Sequence, residues 1–306
     1  MRHPVRHVVE YASLRVVVFL LGLLPLRAAL ACGAALGTAA WLLRVRREVV
    51  RANLSQAFPG ITERGADRIG LASFRNTGRF MVEFARQDRL GADHVLRHVR
   101  IENRAALDRL CREGGIGLAF HFGNWELLGM IVKECGGGST SLLVGDQHNR
   151  LVDGFINRLR ATPGIGLIRR DGAMREIFRS IRSGGCVCWL SDQNAGRAGL
   201  MVDFFSRPAS TPRGAAAIAM KLGCGIYPSF LVRDGAGPGQ TAVFSDPIFP
   251  VEGASGEEAE RDLTRRYTAC LEEMIRRRPD LYWWPHRRWK VSGLYPRGRE
   301  GAADVR

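Results

Sequence analysis

The sequence predicts an α/β protein: a central, mostly parallel or mixed sheet flanked by helices, preceded by an N-terminal hydrophobic membrane-anchor helix. Three observations carry that expectation. From residue 115 onward, short apolar runs alternate with amphipathic stretches of helical length, the pattern of a sheet buried between helical layers. Near the amino terminus, two apolar runs are bracketed by arginines. The 306 residues, 46% of them hydrophobic, suffice for one large α/β domain or a domain plus an appendage. The expected division is 1–50 as the anchor, 51–295 as the main domain and 296–306 as a flexible basic tail.

The runs 16–26 and 28–43 are almost continuously apolar, interrupted only by Pro25 and Arg27. Together they have the length for a bilayer crossing, which takes roughly 20 apolar residues. They also fit a broken segment lying in one leaflet. Arg2, Arg6 and Arg15 precede them; Arg44, Arg46, Arg47 and Arg51 follow. The stronger downstream cluster favours a cytoplasmic main domain. A signal peptide is the rival reading, since Leu30-Ala31-Cys32 faintly resembles a lipoprotein cleavage site, but Arg27 breaks the apolar core before it.

Pro59-Gly60 marks a turn. Phe74, Phe80, Met81 and Phe84 recur at helical spacing over 73–84. A short helix is expected over 103–111, with Asn103 as N-cap. Strands are then expected at 116–120, 141–144, 166–168, 186–190, 226–232 and 241–244. Helices are expected at 126–133, 151–160, 173–183 and 213–222. The last has Thr211 to cap it, Pro212 in its first turn and Gly223 to end it. A long polar-faced helix over 257–278 precedes the tail.

Lys and Arg total 45 against 30 Asp and Glu, a formal net charge of +15. That excess suits an acidic partner: nucleic acid, anionic lipid or an acidic carrier protein. It also fits plain solvated basic faces. No nucleic-acid-binding motif accompanies the charge. The seven cysteines include no C-x-x-C pair, which removes support for zinc ribbons and thioredoxin-like sites. Cys186 and Cys188 share one face of a strand, where such neighbours pack as small apolar residues. Free thiols in a reducing compartment are the simplest reading.

The chemistry-bearing stretch is Phe120-His121-Phe122-Gly123-Asn124-Trp125-Glu126. On a straight helix His121 and Glu126 would stand about 140° apart. They can meet if His121 sits on a turn after the strand and Glu126 in the first helical turn. Gly123 permits the turn, and Asn124 caps the helix. Glu126 would hold the imidazole in one tautomer while His121 takes a proton from a hydroxyl. Amides at the helix start would serve a developing oxyanion. A hydrogen-bonded structural histidine is the alternative. No G-x-S-x-G elbow is present, so direct attack by a substrate alcohol is the simpler mechanism. No second histidine completes H-E-x-x-H, and no metal site is expected. His148 and Asp153 share the same spacing but lack the glycine turn, and are read as a decoy.

These blocks together resemble the lipid A biosynthesis lauroyl/myristoyl acyltransferases. His121-Phe122-Gly123-Asn124-Trp125-Glu126 is similar to the family's H-x-G-N-W-E form of H-x4-D/E. Ser191-Asp192-Gln193-Asn194 resembles its second acidic strand end. Val202-Asp203-Phe204-Phe205 with Pro208-Ala209 resembles V-D-F-F-G-x-P-A, with Ser206 where glycine is usual. Trp284-Pro285-His286-Arg287-Arg288-Trp289-Lys290 resembles the basic aromatic tail, and Asn53-Leu54 with Phe58-Pro59 the segment after the anchor. The resemblance spans roughly residues 1–290. It implies a glycerolipid-acyltransferase-like fold at the cytoplasmic face of the cell inner membrane. The donor would be an acyl carrier protein thioester, with no bound cofactor. The acceptor would be a lipid A precursor hydroxyl. His121 and Glu126 would be catalytic. The same chemistry on a phosphatidylinositol mannoside or ornithine lipid is the enzyme rival; a non-catalytic basic membrane-binding protein is the other.

Substrate-binding candidates are Gly123, Asn124, Arg170, Asp192, Asp203, Arg287 and Arg288. Asp192 ends a strand as His121 does, where α/β sheets bind ligands; it would orient Arg170, contact substrate or cap a loop. Asp203 has the same choices. Arg170 suits a phosphate or carboxylate, or is a solvated loop charge. Arg287 and Arg288 lie among tryptophans, as at a membrane interface or in a packed tail.

Overall fold

The structure is a computed structural model and describes residues 4–161 and 164–295. Arg2 and the expected tail at 296–306 lie outside the described residues. In chain order, the elements are α1 (Val5–Leu23), α2 (Leu26–Leu42), α3 (Arg47–Ala57), α4 (Glu63–Ala85), α5 (Gln87–His98), β1 (Val99–Glu102) and α6 (Arg104–Glu113). Then come β2 (Gly115–Ala119), α7 (Trp125–Gly136), β3 (Thr140–Val144), α8 (Arg150–Ala161), β4 (Gly166–Arg169), α9 (Ala173–Arg182) and β5 (Cys186–Leu190). The hairpin β6 (Leu200–Phe204) and β7 (Arg207–Thr211) precedes α10 (Gly214–Leu222), β8 (Ile226–Arg233), β9 (Gln240–Phe244) and α11 (Gly256–Arg277).

Seven strands form one sheet in the order β1-β9-β8-β2-β5-β3-β4. Every neighbouring pair is parallel except β8 with β9. The expected α/β class with a mostly parallel sheet is what the structure shows. Both faces of the sheet are covered. Ile116, Leu118 and Phe120 enter a core shared with α9, α10 and α11, whereas Ala119 joins a second core with α5, α6 and α7. Residues of β2 and β5 are therefore buried on both sides, which explains their unbroken apolar runs.

The register of the two central strands positions the candidate chemistry. β2 and β5 pair in parallel from Gly115↔Cys186 to Ala119↔Leu190. Both chains leave the sheet one residue later, side by side at about 4.8 Å spacing. Continuing the same offset, His121 faces Asp192.

The amino terminus departs from expectation. The anticipated anchor helix is two helices, broken at Leu24-Pro25. Among the described residues no single helix is long and apolar enough to cross a membrane. Arg6, Glu10 and Arg15 interrupt α1, and α2 stops after 17 residues with Ala29, Leu30, Gly33, Gly37 and Trp41 buried. α2 packs on α4 backbone to backbone: a Cβ on Gly78 would lie 1.9 Å from the Gly33 carbonyl oxygen. α1 buries none of its residues and leaves Val5, Val9, Val16, Phe19, Leu20 and Leu23 exposed.

Local signals fared unevenly. Asn103 and Asn124 cap α6 and α7 through their side-chain oxygens, as expected. Gly223 ends α10 at φ +64°. Thr211 does not cap α10; it lies in β7 and its hydroxyl accepts from Arg288 at 2.5 Å. The β6–β7 hairpin turns on Phe205 and Ser206, both left-handed at φ 49° and 57°. That is the two-residue turn geometry that favours glycine. Phe205 is buried, but Ser206 is exposed. Ser206→Gly should raise stability by about 0.5–1 kcal/mol, the relief of left-handed strain less the added freedom of the unfolded chain. A urea midpoint that falls would contradict this.

Candidate active site

His121 emerges from β2 and Asp192 from β5, and the sheet register sets them face to face. The His121 Nδ1–H donates to Asp192 Oδ1 at 2.7 Å, and the His121 backbone N–H donates to Asp192 Oδ2 at 3.1 Å. A carboxylate can only accept, so Nδ1 holds the proton and Nε2 keeps its lone pair. Burial alone would raise the Asp192 carboxyl, but the charge His121 carries once protonated and its two hydrogen bonds, with Arg288 nearby, hold it below the usual range. The His121 side chain keeps 18% exposure against 1% for Asp192. The arrangement is a partly exposed imidazole held in one tautomer by a buried carboxylate.

The turn that aims His121 is over-determined. Gly123 has φ +61°, and a Cβ there would sit 1.7 Å from the Leu231 carbonyl oxygen. Its N–H donates to the Leu281 carbonyl, and the Trp283 N–H donates to the His121 carbonyl, each at 2.9 Å. The Trp125 ring lies against the imidazole, centroids 4.9 Å apart.

Glu126 does not orient His121, which corrects the expected pairing. It forms a two-point ion pair with Arg160 of α8, at 2.9 and 2.6 Å. In the first turn of α7 it is Trp125 that meets the imidazole, while the Glu126 carboxylate finds its two-point partner on α8. Asp192, expected to contact substrate or Arg170, takes the orienting role. His148 and Asp153 prove unrelated: His148 meets His7 edge to face, and Asp153 serves the Gln147 amide, Asn157 and Arg169.

Other expected substrate residues are placed differently. Arg170 is exposed beyond β4, three strand spacings or about 14 Å from β2. Asp203 points out from β6 into a surface recess with Glu258, Arg261, Asp262 and Arg265 of α11. Arg288 is not an exposed phosphate ligand: it is 1% exposed, donates to the Ser210 carbonyl and Thr211, and lies over Phe204. Arg287 is half-buried with its guanidinium over Tyr295. Gly123 and Asn124 shape the turn.

Five side chains were given no role by the sequence. Gln193 Nε2 lies 3.2 Å from His121 Nε2. His286 Nε2 accepts from the Asn194 amide at 2.9 Å, while Asn53 holds the Trp284 and His286 carbonyls; that contact explains why the Asn53 segment and the tail block occur together. Glu83 of α4 is fully buried, accepts from Asn124 at 2.8 Å, and pairs with buried Arg233. Glu83 and Arg233 carried no signal, since each is an ordinary charge in its local sequence.

Burial pushes His286 down to about 4, helped by the charges of His121, Arg288 and Arg46. Burial likewise pushes His94 down to about 4. Both are neutral when folded and titrate near 6.5 when unfolded. The unfolded chain therefore binds more protons between pH 6.5 and 4, so stability should fall as pH drops through that window. Asp67, held at about 2 by Arg51 and Arg47, keeps its full contribution through that window and loses it only at lower pH, as pH falls toward 2. Denaturation midpoints at pH 7 and 5 test this; equal midpoints would contradict it.

Two cavities adjoin the site. One of about 60 Å³ is lined by Trp125, Glu126, Leu142, Arg160, Cys188 and Leu190, among others. An apolar one of about 500 Å³ lies between α1, α2, α4 and α8 and reaches Trp283, whose ring meets Trp125.

The chain matches the family model for bacterial lipid A biosynthesis acyltransferases over residues 1–291. A phosphatidylinositol mannoside acyltransferase of Mycobacterium tuberculosis is 27% identical over 200 residues, 63% of this chain and 63% of that protein. This chain thus spans 63% of the length of that relative. The lipid A biosynthesis palmitoleoyltransferase of Escherichia coli is 24% identical over 263 residues, 83% of each chain. Among solved structures, the 1-acyl-sn-glycerophosphate acyltransferase of Thermotoga maritima superposes with a TM-score of 0.38 at 16% identity, covering 78% of this chain and 96% of that one. With the family model running from the first helix through the basic aromatic tail, the protein belongs to the bacterial lipid A biosynthesis acyltransferase family.

Proposed function

We propose that this chain is an O-acyltransferase that moves a fatty acyl group from an acyl carrier protein thioester to a hydroxyl of a lipid A precursor or related anionic glycolipid. The observation that carries the reading is the 2.7 Å bond from His121 Nδ1 to Asp192, which leaves Nε2 as the base. The acceptor hydroxyl gives its proton to Nε2 as its oxygen attacks the thioester carbonyl. The new C–O bond forms a tetrahedral oxyanion, and Asp192 stabilises the imidazolium. The C–S bond then breaks, and the leaving thiolate takes the proton back. No cofactor beyond the thioester is needed. Arg160 and Glu126 fix α7, whose amino end follows the His121 turn and is suited to a developing negative charge.

The 500 Å³ apolar cavity suits an acyl chain. The exposed apolar residues of α1, with Leu42, Leu43 and Val45 beside Arg44, Arg46 and Arg47, suit an anionic lipid surface, here the cytoplasmic face of the inner membrane. The net charge of +15 suits both the carrier protein and the acceptor.

The mycobacterial relative supports a second reading, with a phosphatidylinositol mannoside as acceptor. Purified protein, given an acyl carrier protein thioester and each lipid in turn, separates the two. Acylation of the glucosamine lipid by the wild type, absent in His121→Ala, is the expected result. Acylation of only the mannoside would overturn the first choice. Transfer retained in His121→Ala would overturn the mechanism.

A further inference from the structure

The base is not free in the resting protein. Asp192 fixes the Nδ1 proton, so His121 Nε2 has one lone pair, and the side-chain amide of Gln193 lies 3.2 Å from it. With Nε2 unprotonated, Gln193 must present its NH₂ and donate. The acceptor hydroxyl needs the same lone pair. The two donors cannot hold it together.

The backbone around Gln193 is pinned while its side chain is not. On one side the Ser191 N–H donates to the Ala119 carbonyl and the Ser191 hydroxyl to the Pro212 carbonyl, each at 3.3 Å. On the other side the Asn194 N–H donates to His286 at 2.9 Å, and the Ala195 N–H to the Ser210 carbonyl at 3.4 Å. Gln193 itself is half-buried. Rotation of its side chain releases the base without moving the loop.

We propose that Gln193 is a positioning residue that occupies the base until the acceptor displaces it, and so discriminates a bound lipid hydroxyl from water. A lipid acceptor is held by contacts along its whole length and can displace the amide at the expense of that binding. Water has no such contacts and must compete for the lone pair directly. Gln193 thereby protects a bound acyl thioester from hydrolysis.

The inference rests on the His121–Asp192 reading and is tested without knowing the acceptor. Hydrolysis of palmitoyl-coenzyme A by the purified full chain is followed with no lipid present, as a function of pH. Gln193→Ala should raise the rate about tenfold, the ratio set by one neutral hydrogen bond. It should also move the basic inflection to higher pH, because a bond that favours the neutral imidazole is lost. Gln193→Glu should move the inflection further, since a carboxylate favours the imidazolium. A merely structural role would lower the rate and leave the inflection in place, and that result overturns the proposal. His121→Ala separates the two failures: hydrolysis that survives it sinks the base assignment, whereas hydrolysis that it abolishes, with Gln193→Ala unchanged from wild type, sinks only the role of Gln193.

Discussion

Asp192→Asn should lower kcat for acyl transfer by a factor on the order of 10³–10⁴ while the protein stays folded. The geometry dictates the reason. The His121 backbone N–H donates to one Asp192 oxygen and the Nδ1–H to the other. In the asparagine variant the carbonyl oxygen stays with the backbone N–H, which turns the NH₂ toward Nδ1. Nδ1 must then accept, and the imidazole proton moves to Nε2. A protonated Nε2 cannot take a proton from the acceptor. Glu126→Gln should behave differently. It weakens the two-point pair with Arg160, whose side chain is 16% exposed, and loosens the first turn of α7. It should cost stability and lower activity but leave the pH profile of the base in place. A Glu126→Gln variant whose pH profile collapses, beside an active Asp192→Asn, would reverse the assignment.

The second large effect concerns stability. Glu83→Leu should destabilise the fold by about 3–5 kcal/mol, because it leaves the Arg233 guanidinium buried without its counter-charge. Arg233 is 3% exposed and Glu83 fully buried. The same substitution removes the acceptor of the Asn124 amide and one partner of Gln240, so the cap of α7 loosens too. Adding Arg233→Met should recover most of the loss, since an apolar pair of similar volume carries no buried charge. Urea denaturation of the two single variants and the double variant measures it. A double variant as unstable as Glu83→Leu would show that the charge pairing is not the cause.

Much of the fold was legible in the sequence because local chemistry wrote it. Apolar runs marked the sheet strands from β2 onward, and asparagines marked the starts of α6 and α7. Gly123 marked the turn, where its backbone is left-handed. The hairpin β6–β7 was visible as a motif but not as strands, since its apolar residues alternate with Met201, Asp203 and Pro208 on the outer face. The orienter of His121 was misread for a physical reason. A five-residue spacing to Glu126 is visible along the chain, whereas the bond to Asp192 spans 71 residues and exists only through the β2–β5 register. Asp192 was recognised as a strand end, but no sequence pattern states which residue it will face. The sequence reads Arg288 as a substrate ligand because it sits among basic and aromatic residues. Its burial depends on the β6–β7 hairpin folding over it, a contact made 77 and 78 residues away. Glu83 and Arg233, 150 residues apart, were invisible for the same reason.

The central claim is that Asp192, not Glu126, holds the Nδ1 proton of His121. Proton NMR of protein labelled with ¹⁵N-histidine tests it most directly. A far-downfield Nδ1–H resonance should be present in the wild type and in Glu126→Gln, and absent in Asp192→Asn. A resonance that survives Asp192→Asn and disappears in Glu126→Gln would contradict the account.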